Sequence, residues 1–317
     1  MRMVNKDISS LLNQYYGNFG LYFTKFNEIE EDKDKGFKKS INNEKNLIDV
    51  YNGQNKVDKL LSEKHKYQDQ YIDSMKNKGY IGFRKRYKLT TKMITGIGSF
   101  SFSEIGMTFD YCLGVPYIPA SSVKGVVRSI YIMKLISEGY FKNILINDRI
   151  EKYDVLKETS YEEFLKILTD KLKNEELRQW TDIYKYFGGK LRLDNEKEAK
   201  TYIGNIIFLD IYPEKKPILA TEINNVHYRK YYDSAGKLSP IDNENPNPIK
   251  YLVIEKNCIF TVRYLVKYKV FSKNQIDYVN KIIEEAFTLN GIGAKTNIGF
   301  GTFDLINDKA EEGEVRK

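Results

Sequence analysis

Apolar positions recur along this chain at two spacings, and from residue 84 onward they predict six regular elements. Tyr87, Leu89, Thr91 and Met93 take every second position over 84–95, while Arg84, Arg86, Lys88 and Lys92 lie between them. Alternation of this kind gives a half-buried strand with a basic outer side. Pro119 then ends an extended stretch, Ser121 or Ser122 can cap a helix over 122–137, and Val123, Val126, Val127, Ile130 and Met133 supply its apolar stripe. IGNIIFLDIY at 203–212 and CIFTVRYLVKY at 258–268 are apolar enough to be buried strands. Ser272 with Gln275 forms a capping box ahead of Ile276, Val279, Ile282, Ile283, Ala286 and Phe287, which predicts a helix over 273–289. Ile298, Phe300 and Phe303 open a last strand over 298–305. The order is βαββαβ, so the expected fold is α+β with a ferredoxin-like (RRM-like) core.

The flanks and interruptions divide the chain. In 1–80, Asp7 can cap a short helix carrying Ile8, Leu11, Leu12 and Tyr15, and 28–46 is charged and aperiodic, which reads as a mobile loop. A second helix from Val57 shows Leu60, Leu61, Tyr67, Tyr71 and Met75 on one side, with Gly79 as its stop. His65 falls off that stripe and is expected in solvent. These 80 residues read as a helical appendage, 81–310 as the ferredoxin-like domain and 311–317 as a flexible tail. The domain carries a helical insertion over 138–200, where Ser160 and Glu163 make another capping box and Trp180, Ile183, Tyr184 and Phe187 share a stripe. A second insertion over 213–257 has the prolines and asparagines of loops, and its length favours a functional excursion.

Between the last helix and strand runs LNGIGAKTNIGFGTF, with Gly291, Gly293, Gly299 and Gly301. Phosphate loops run from strand to helix, the reverse of this order, and Ala294 stands where a P-loop has the glycine before its lysine. Two readings are open: a helix C-cap with a tight turn, or a backbone that something approaches closely. Similarly, Lys124 and Arg128 share a helix face beside two hydroxyls and the amides of a helix start. That arrangement suits a phosphate and is also what an ordinary capped helix with a wet basic side looks like.

Composition narrows the class. Lys and Arg number 51 against 43 Asp and Glu, a net charge of +8 with pI near 9.0, which favours a polyanionic partner. Two cysteines, Cys112 and Cys258, in apolar stretches support neither a disulfide framework nor a thiolate metal site, and two histidines leave little for a zinc site. No cofactor and no metal are expected. Neither a leader nor a bilayer-spanning apolar run is present, so the expected compartment is the cytoplasm and no membrane is involved.

On PYIPASSVKGVVRS, YFGG before IGNIIFLD, and GIGAKTNIGFG, in that order over about 84–305, the chain resembles the RAMP proteins of CRISPR systems. HYRKYYDSAGKLSPIDNENPNPIKYLVI at 227–254 looks most like the sixth subunit of the Cmr-type (type III-B) RNA-targeting complex. Ala120 departs from the family, which usually has glycine before the two serines. The resemblance implies a Cas7-like backbone subunit near the 3′ end of the guide RNA that holds nucleic acid without cutting it. Its implied partners are guide RNA, target RNA and the other Cmr-type subunits. It also implies guide-phosphate contacts from Ser121, Ser122, Lys124 and Arg128, with the glycine turn near them and the 213–257 insertion as a thumb. Gly293 and Gly299 would admit a phosphate to the backbone, with Lys295, Thr296 and Asn297 as donors. In the thumb, His227, Tyr228, Arg229 and Lys230, with Tyr231 and Tyr232, would meet unstacked bases or pack on protein.

No residue is assigned to catalysis. The rival is a metal-independent CRISPR endoribonuclease of the same superfamily, which needs an acid and a base at one phosphodiester; His65 and His227 are its candidates. Glu104 and Asp110 do not reproduce the pattern of target-cutting subunits. A purely structural subunit is the third reading.

Overall fold

Phe260 to Val266 form an unbroken buried run, the pattern of a strand with partners on both edges and layers on both faces. The computed structural model describes residues 17–25, 29–32, 36–39, 44–98, 105–138, 182–191, 200–226, 229–235, 237–239, 241 and 247–306. Ahead of the first sheet strand come α1 (Phe19–Lys25), the hairpin β1 (Ile29–Asp32) and β2 (Gly36–Lys39), α2 (Glu44–Asn52) and α3 (Val57–Lys76). Then follow β3 (Tyr80–Leu89), α4 (Ala120–Ser137), α5 (182–187), β4 (Gly189–Leu191), β5 (Lys200–Tyr202), β6 (Ile206–Phe208) and β7 (Tyr212–Pro213). The chain continues with β8 (Leu219–Val226), α6 (Arg229–Asp233), β9 (Asn247–Ile254), β10 (Ile259–Lys267), α7 (Lys273–Glu285) and β11 (Phe303–Ile306).

The main sheet is antiparallel in the order β11-β3-β10-β6, with β7 also on β10. Period two sends Phe260, Val262, Tyr264 and Val266 of β10, with Tyr87 and Leu89 of β3, to one face. There they meet Val123 and Val127 of α4 and Val279, Ile282 and Ile283 of α7. α7 begins with the expected capping box, in which Ser272 Oγ accepts from the amide of Gln275.

The other face is covered by α3, against expectation. Its buried positions are Val57, Leu61, Gln68, Ile72 and Met75, with His65 and Asp69 between them, while Leu60 and Tyr67 are exposed. The middle of this stripe is polar because it sits on Arg263 of β10, whose side chain is 0% exposed. Arg263 makes a two-pronged bond to Asp69 at 2.7 and 3.0 Å and donates to Gln68 Oε1 at 3.2 Å and His65 Nδ1 at 2.9 Å. His65 is therefore packed on the sheet, not solvated. Ile72 and Met75 complete the contact on Leu265.

The helices before residue 57 join the main core as well: Phe19, Tyr22, Phe23, Leu47 and Tyr51 belong to the same buried cluster as the sheet. Lys216 closes the end of α2, its ammonium donating to the carbonyls of Tyr51, Asn52 and Gln54. Three other expectations change. Part of 28–46, expected to be an irregular loop, is the β1–β2 hairpin, in which Glu30 falls opposite Lys38 in the register; its sequence, mostly charged, has no apolar period to see. The strand expected at 203–212 breaks into β6 and β7. The insertion expected to be loop contains β8 and β9, paired over eight positions from Leu219↔Ile254 to Val226↔Asn247. The helices expected at 7–15 and around 160–172 lie outside the described residues. Among those described, no helix is long and apolar enough to cross a membrane.

Arg263→Ala strips the acceptors of α3 of their buried cation. Because Asp69 keeps 40% of its side chain in water, the expected loss is near the lower end for a broken buried pair, about 3 kcal/mol in urea unfolding. A loss under about 1 kcal/mol would contradict this account of how α3 docks.

Candidate nucleic-acid interface

The glycine turn is held by its own backbone. After α7 the chain makes one wider helical turn, Ala286–Asn290, and then reverses. Ile292 N donates to Gly301 O, Gly301 N to Lys92 O and Ala294 N to Ile94 O, each at 2.8 Å. A Cβ on Gly293 would lie 2.5 Å from Ile94 O, and one on Gly301 would collide with Ile292 O. Gly299, at φ 87°, has nothing within 4 Å of that position. Close approach thus explains Gly293 and Gly301 within the chain, while Gly299 faces open space. Thr296–Ile298 forms a single 3-10 turn with Ile298 exposed, so the last strand begins at Phe303, later than the apolar pattern suggested.

Lys295 takes the left-handed conformation at φ 61°, which costs a non-glycine residue about 1 kcal/mol. Its ammonium bonds Tyr251 Oη at 2.9 Å and lies 4.3 Å from the centre of that ring, which offsets the cost. Tyr251 belongs to β9, so this contact ties the turn to the β8–β9 ribbon. Between them is a cleft of about 380 Å³ lined by Lys92, Glu222, Ile223, Tyr251, Lys295 and Gly299. Glu222 bonds the Lys92 ammonium at 2.7 Å, which holds its carboxyl below the usual range and raises the lysine. Thr296 is half-buried and Asn297 exposed on the turn.

The same segment also holds the approach to α4, since Thr95 Oγ1 donates to Tyr117 O at 3.1 Å, three residues before the helix starts. The expected cap is corrected here. α4 begins at Ala120, so Ser121 and Ser122 stand inside its first turn, both exposed. The acceptor for Ala120 N is the carboxylate of Asp210 at 2.8 Å, and Ser122 N and Val123 N bond Pro119 O. These three amides have acceptors within the chain, which leaves the exposed hydroxyls and the cations of the same turns as the more available groups for an anion. Lys124 and Arg128 do share a face. Burial, and then Arg128, lower the Lys124 ammonium, and the Arg128 guanidinium packs 5.7 Å from the Tyr184 ring centre in the YFGG helix.

His227 and Tyr228 lie outside the described residues, and Arg229 and Lys230 open α6, where Tyr231 and Tyr232 meet edge to face. Of the basic strand, Arg84 and Lys88 are exposed, whereas Arg86 is bonded to Glu214 at 2.6 and 2.8 Å. Asp110 is a turn residue: its carboxylate accepts from Cys112 N, Leu113 N and Tyr212 Oη. Cys112 is exposed rather than apolar in setting, and burial pushes the Cys258 thiol up to about 12. Tyr251, Glu222 and Asp210 were not foreseen, because each acts through a partner distant in sequence.

This antiparallel α/β domain belongs to the RAMP superfamily, whose sequence profile matches residues 86–304. Within it the chain is similar to CRISPR system Cmr subunit Cmr6 of Pyrococcus furiosus, 28% identical over 260 residues that cover 74% of this chain and 71% of that one. The Cmr6 subunit of Saccharolobus solfataricus is 25% identical over 324 residues, 93% of this chain and 88% of that one. The likeness to the sixth Cmr-type subunit read from the motifs agrees with both. A chain in a cryo-EM structure of the type III-B Cmr-beta bound to cognate target RNA is 20% identical, with TM-score 0.49 over 77% of this chain and 65% of that one.

Alanine separates the glycines. Gly301→Ala is expected to lower the melting temperature by the equivalent of about 3 kcal/mol, the class of loss that forced overpacking gives. Gly299→Ala, with room for its methyl group, is expected to lose about 1 kcal/mol for its torsion alone. Equal losses in thermal melts would contradict the assignment of Gly301 to close packing.

Proposed function

We propose that this chain is a guide-RNA-binding backbone subunit of a type III-B, Cmr-type CRISPR effector complex, of the sixth-subunit kind, acting in antiviral defence in the cytoplasm. It holds RNA near the 3′ end of the guide and leaves cutting of target RNA to other subunits. The observation that carries this reading is that the glycine turn and the approach to α4 at Tyr117 are both bonded to the 92–95 segment. Exposed Ser121, Ser122, Asn297 and Gly299 are thereby placed on elements anchored to one rigid strip. Among the described residues Lys124 has no carboxylate partner, which leaves its charge for a phosphate. We read the domain as ferredoxin-like: counted over β3, β6, β10 and β11, the strand order is 4-1-3-2.

We read the ribbon, with α6 between its strands in the chain, as the thumb; its positions Ile223, Asn224 and Asn225 are exposed, and the first two line the cleft against the glycine turn. RNA lies along the α4 side. The face of the sheet that an RNA-recognition fold would use for stacking bases is covered by α3 over β10 and β6. The nuclease reading gains no support from His65, whose two ring nitrogens are engaged by Arg263 and by Pro213 O, nor from Asp110, whose carboxylate holds a turn.

Lys124→Ala is expected to weaken guide loading into the assembled complex without sequence preference. One lost phosphate contact lowers the log–log salt slope by about 0.7 on single-stranded RNA. An unchanged slope, with assembly intact, favours a purely structural subunit.

A further inference from the structure

The polar seam between α3 and β10 has a built-in proton sensor. Arginine has no acceptor, so His65 Nδ1, 2.9 Å from Arg263 Nη1, must carry a lone pair. The carbonyl of Pro213 has no proton to give, so His65 Nε2, 2.9 Å away, must carry the hydrogen. The two contacts fix one neutral tautomer. Protonation removes the acceptor for Arg263 and sets a second cation against a guanidinium that has no water.

The same seam reaches α4. Gln68 accepts from Arg263 at 3.2 Å through Oε1 and donates to the backbone carbonyl of Asp210 at 2.7 Å through Nε2, and the Asp210 carboxylate caps α4. We propose that His65 is a pH latch: its protonation loosens α3 from the sheet and, through Gln68 and Asp210, frees the first turn of α4. The proposal stands whether or not that turn meets RNA.

The charged groups facing His65 are Arg263 from β10, Asp69 on its own helix and Glu214 after β7, the last held by Arg86 of β3. Burial and then Arg263 lower the imidazole below its ordinary value, while the Pro213 bond, Glu214 and Asp69 oppose them with a smaller combined effect. A histidine lowered on folding contributes stability that is complete above its unfolded value, near 6.5, and is lost as pH falls through that value toward the folded one.

Hydrogen exchange of the full chain, corrected for intrinsic rates, tests this. Between about pH 7.5 and 5.5 the opening of α3 and of the first α4 turn should increase together, by up to about tenfold per unit below 6.5. His65→Gln, which keeps a donor and an acceptor but does not titrate, should abolish the dependence. Should that variant fold poorly, nitrogen NMR of the wild type reads the tautomer, with only two histidines to assign. Unchanged protection in the wild type, a dependence that survives in His65→Gln, or a proton on Nδ1 at neutral pH each overturns the latch.

Discussion

Two carbonyl oxygens, those of Ile292 and Ile94, occupy the space where side chains on Gly301 and Gly293 would begin. Contact this close lets the closing turn lie flat on the 92–94 segment, and much of the domain depends on it. Gly301 N on Lys92 O sets where β11 starts, so that Phe303 falls opposite Leu89 and enters the core. The segment also pairs Met93 with Ile254, which fixes the base of the ribbon, and Thr95 holds the approach to α4. One strip of backbone therefore aligns the last strand, the β8–β9 ribbon and the approach to α4.

The second fixed point is the buried Arg263. A desolvated guanidinium contributes little net stability compared with an apolar contact, but four specific acceptor atoms admit one placement of α3 and few others. The apolar ends of the helix, Leu61 on one side and Ile72 with Met75 on the other, add burial without that direction. Charge elsewhere is used similarly. Arg86, Lys92 and Lys134 are bonded to Glu214, Glu222 and Glu285, pairs that leave the net charge at +8 but tie those three cations to partners within the chain.

The elements legible in the sequence were those whose own residues determine them. The Ser272 box starts α7, Phe260 to Val266 mark a central strand, and the glycines mark a close-packed turn. The chain hid what depends on partners far away. The stripe expected on α3 shares Leu61 and Met75 with the buried one but takes in Leu60 and Tyr67, because His65, Gln68 and Asp69 look solvent-bound until Arg263 is opposite them. The neighbouring serines suit the α4 cap by their chemistry, whereas Asp210 supplies it from 90 residues further on. The prolines and asparagines of the ribbon read as loop in the sequence, although Pro248 sits within β9 opposite Asn225. For the site, the exposure of Gly299 was legible in its glycine-rich turn, while the bond from Lys295 to Tyr251, 44 residues away, was not.

The central claim is that RNA follows the α4 edge and the glycine turn rather than the sheet. Photocrosslinking of the assembled complex, with 4-thiouridine placed along the 3′ half of the guide and peptides mapped by mass spectrometry, tests it directly. The account predicts crosslinks within Ala120–Ser137 and at the exposed positions Asn297 and Gly299. Crosslinks confined to Arg84 and Lys88 on the outer face of β3, or their absence from this chain while neighbouring subunits label, would contradict it.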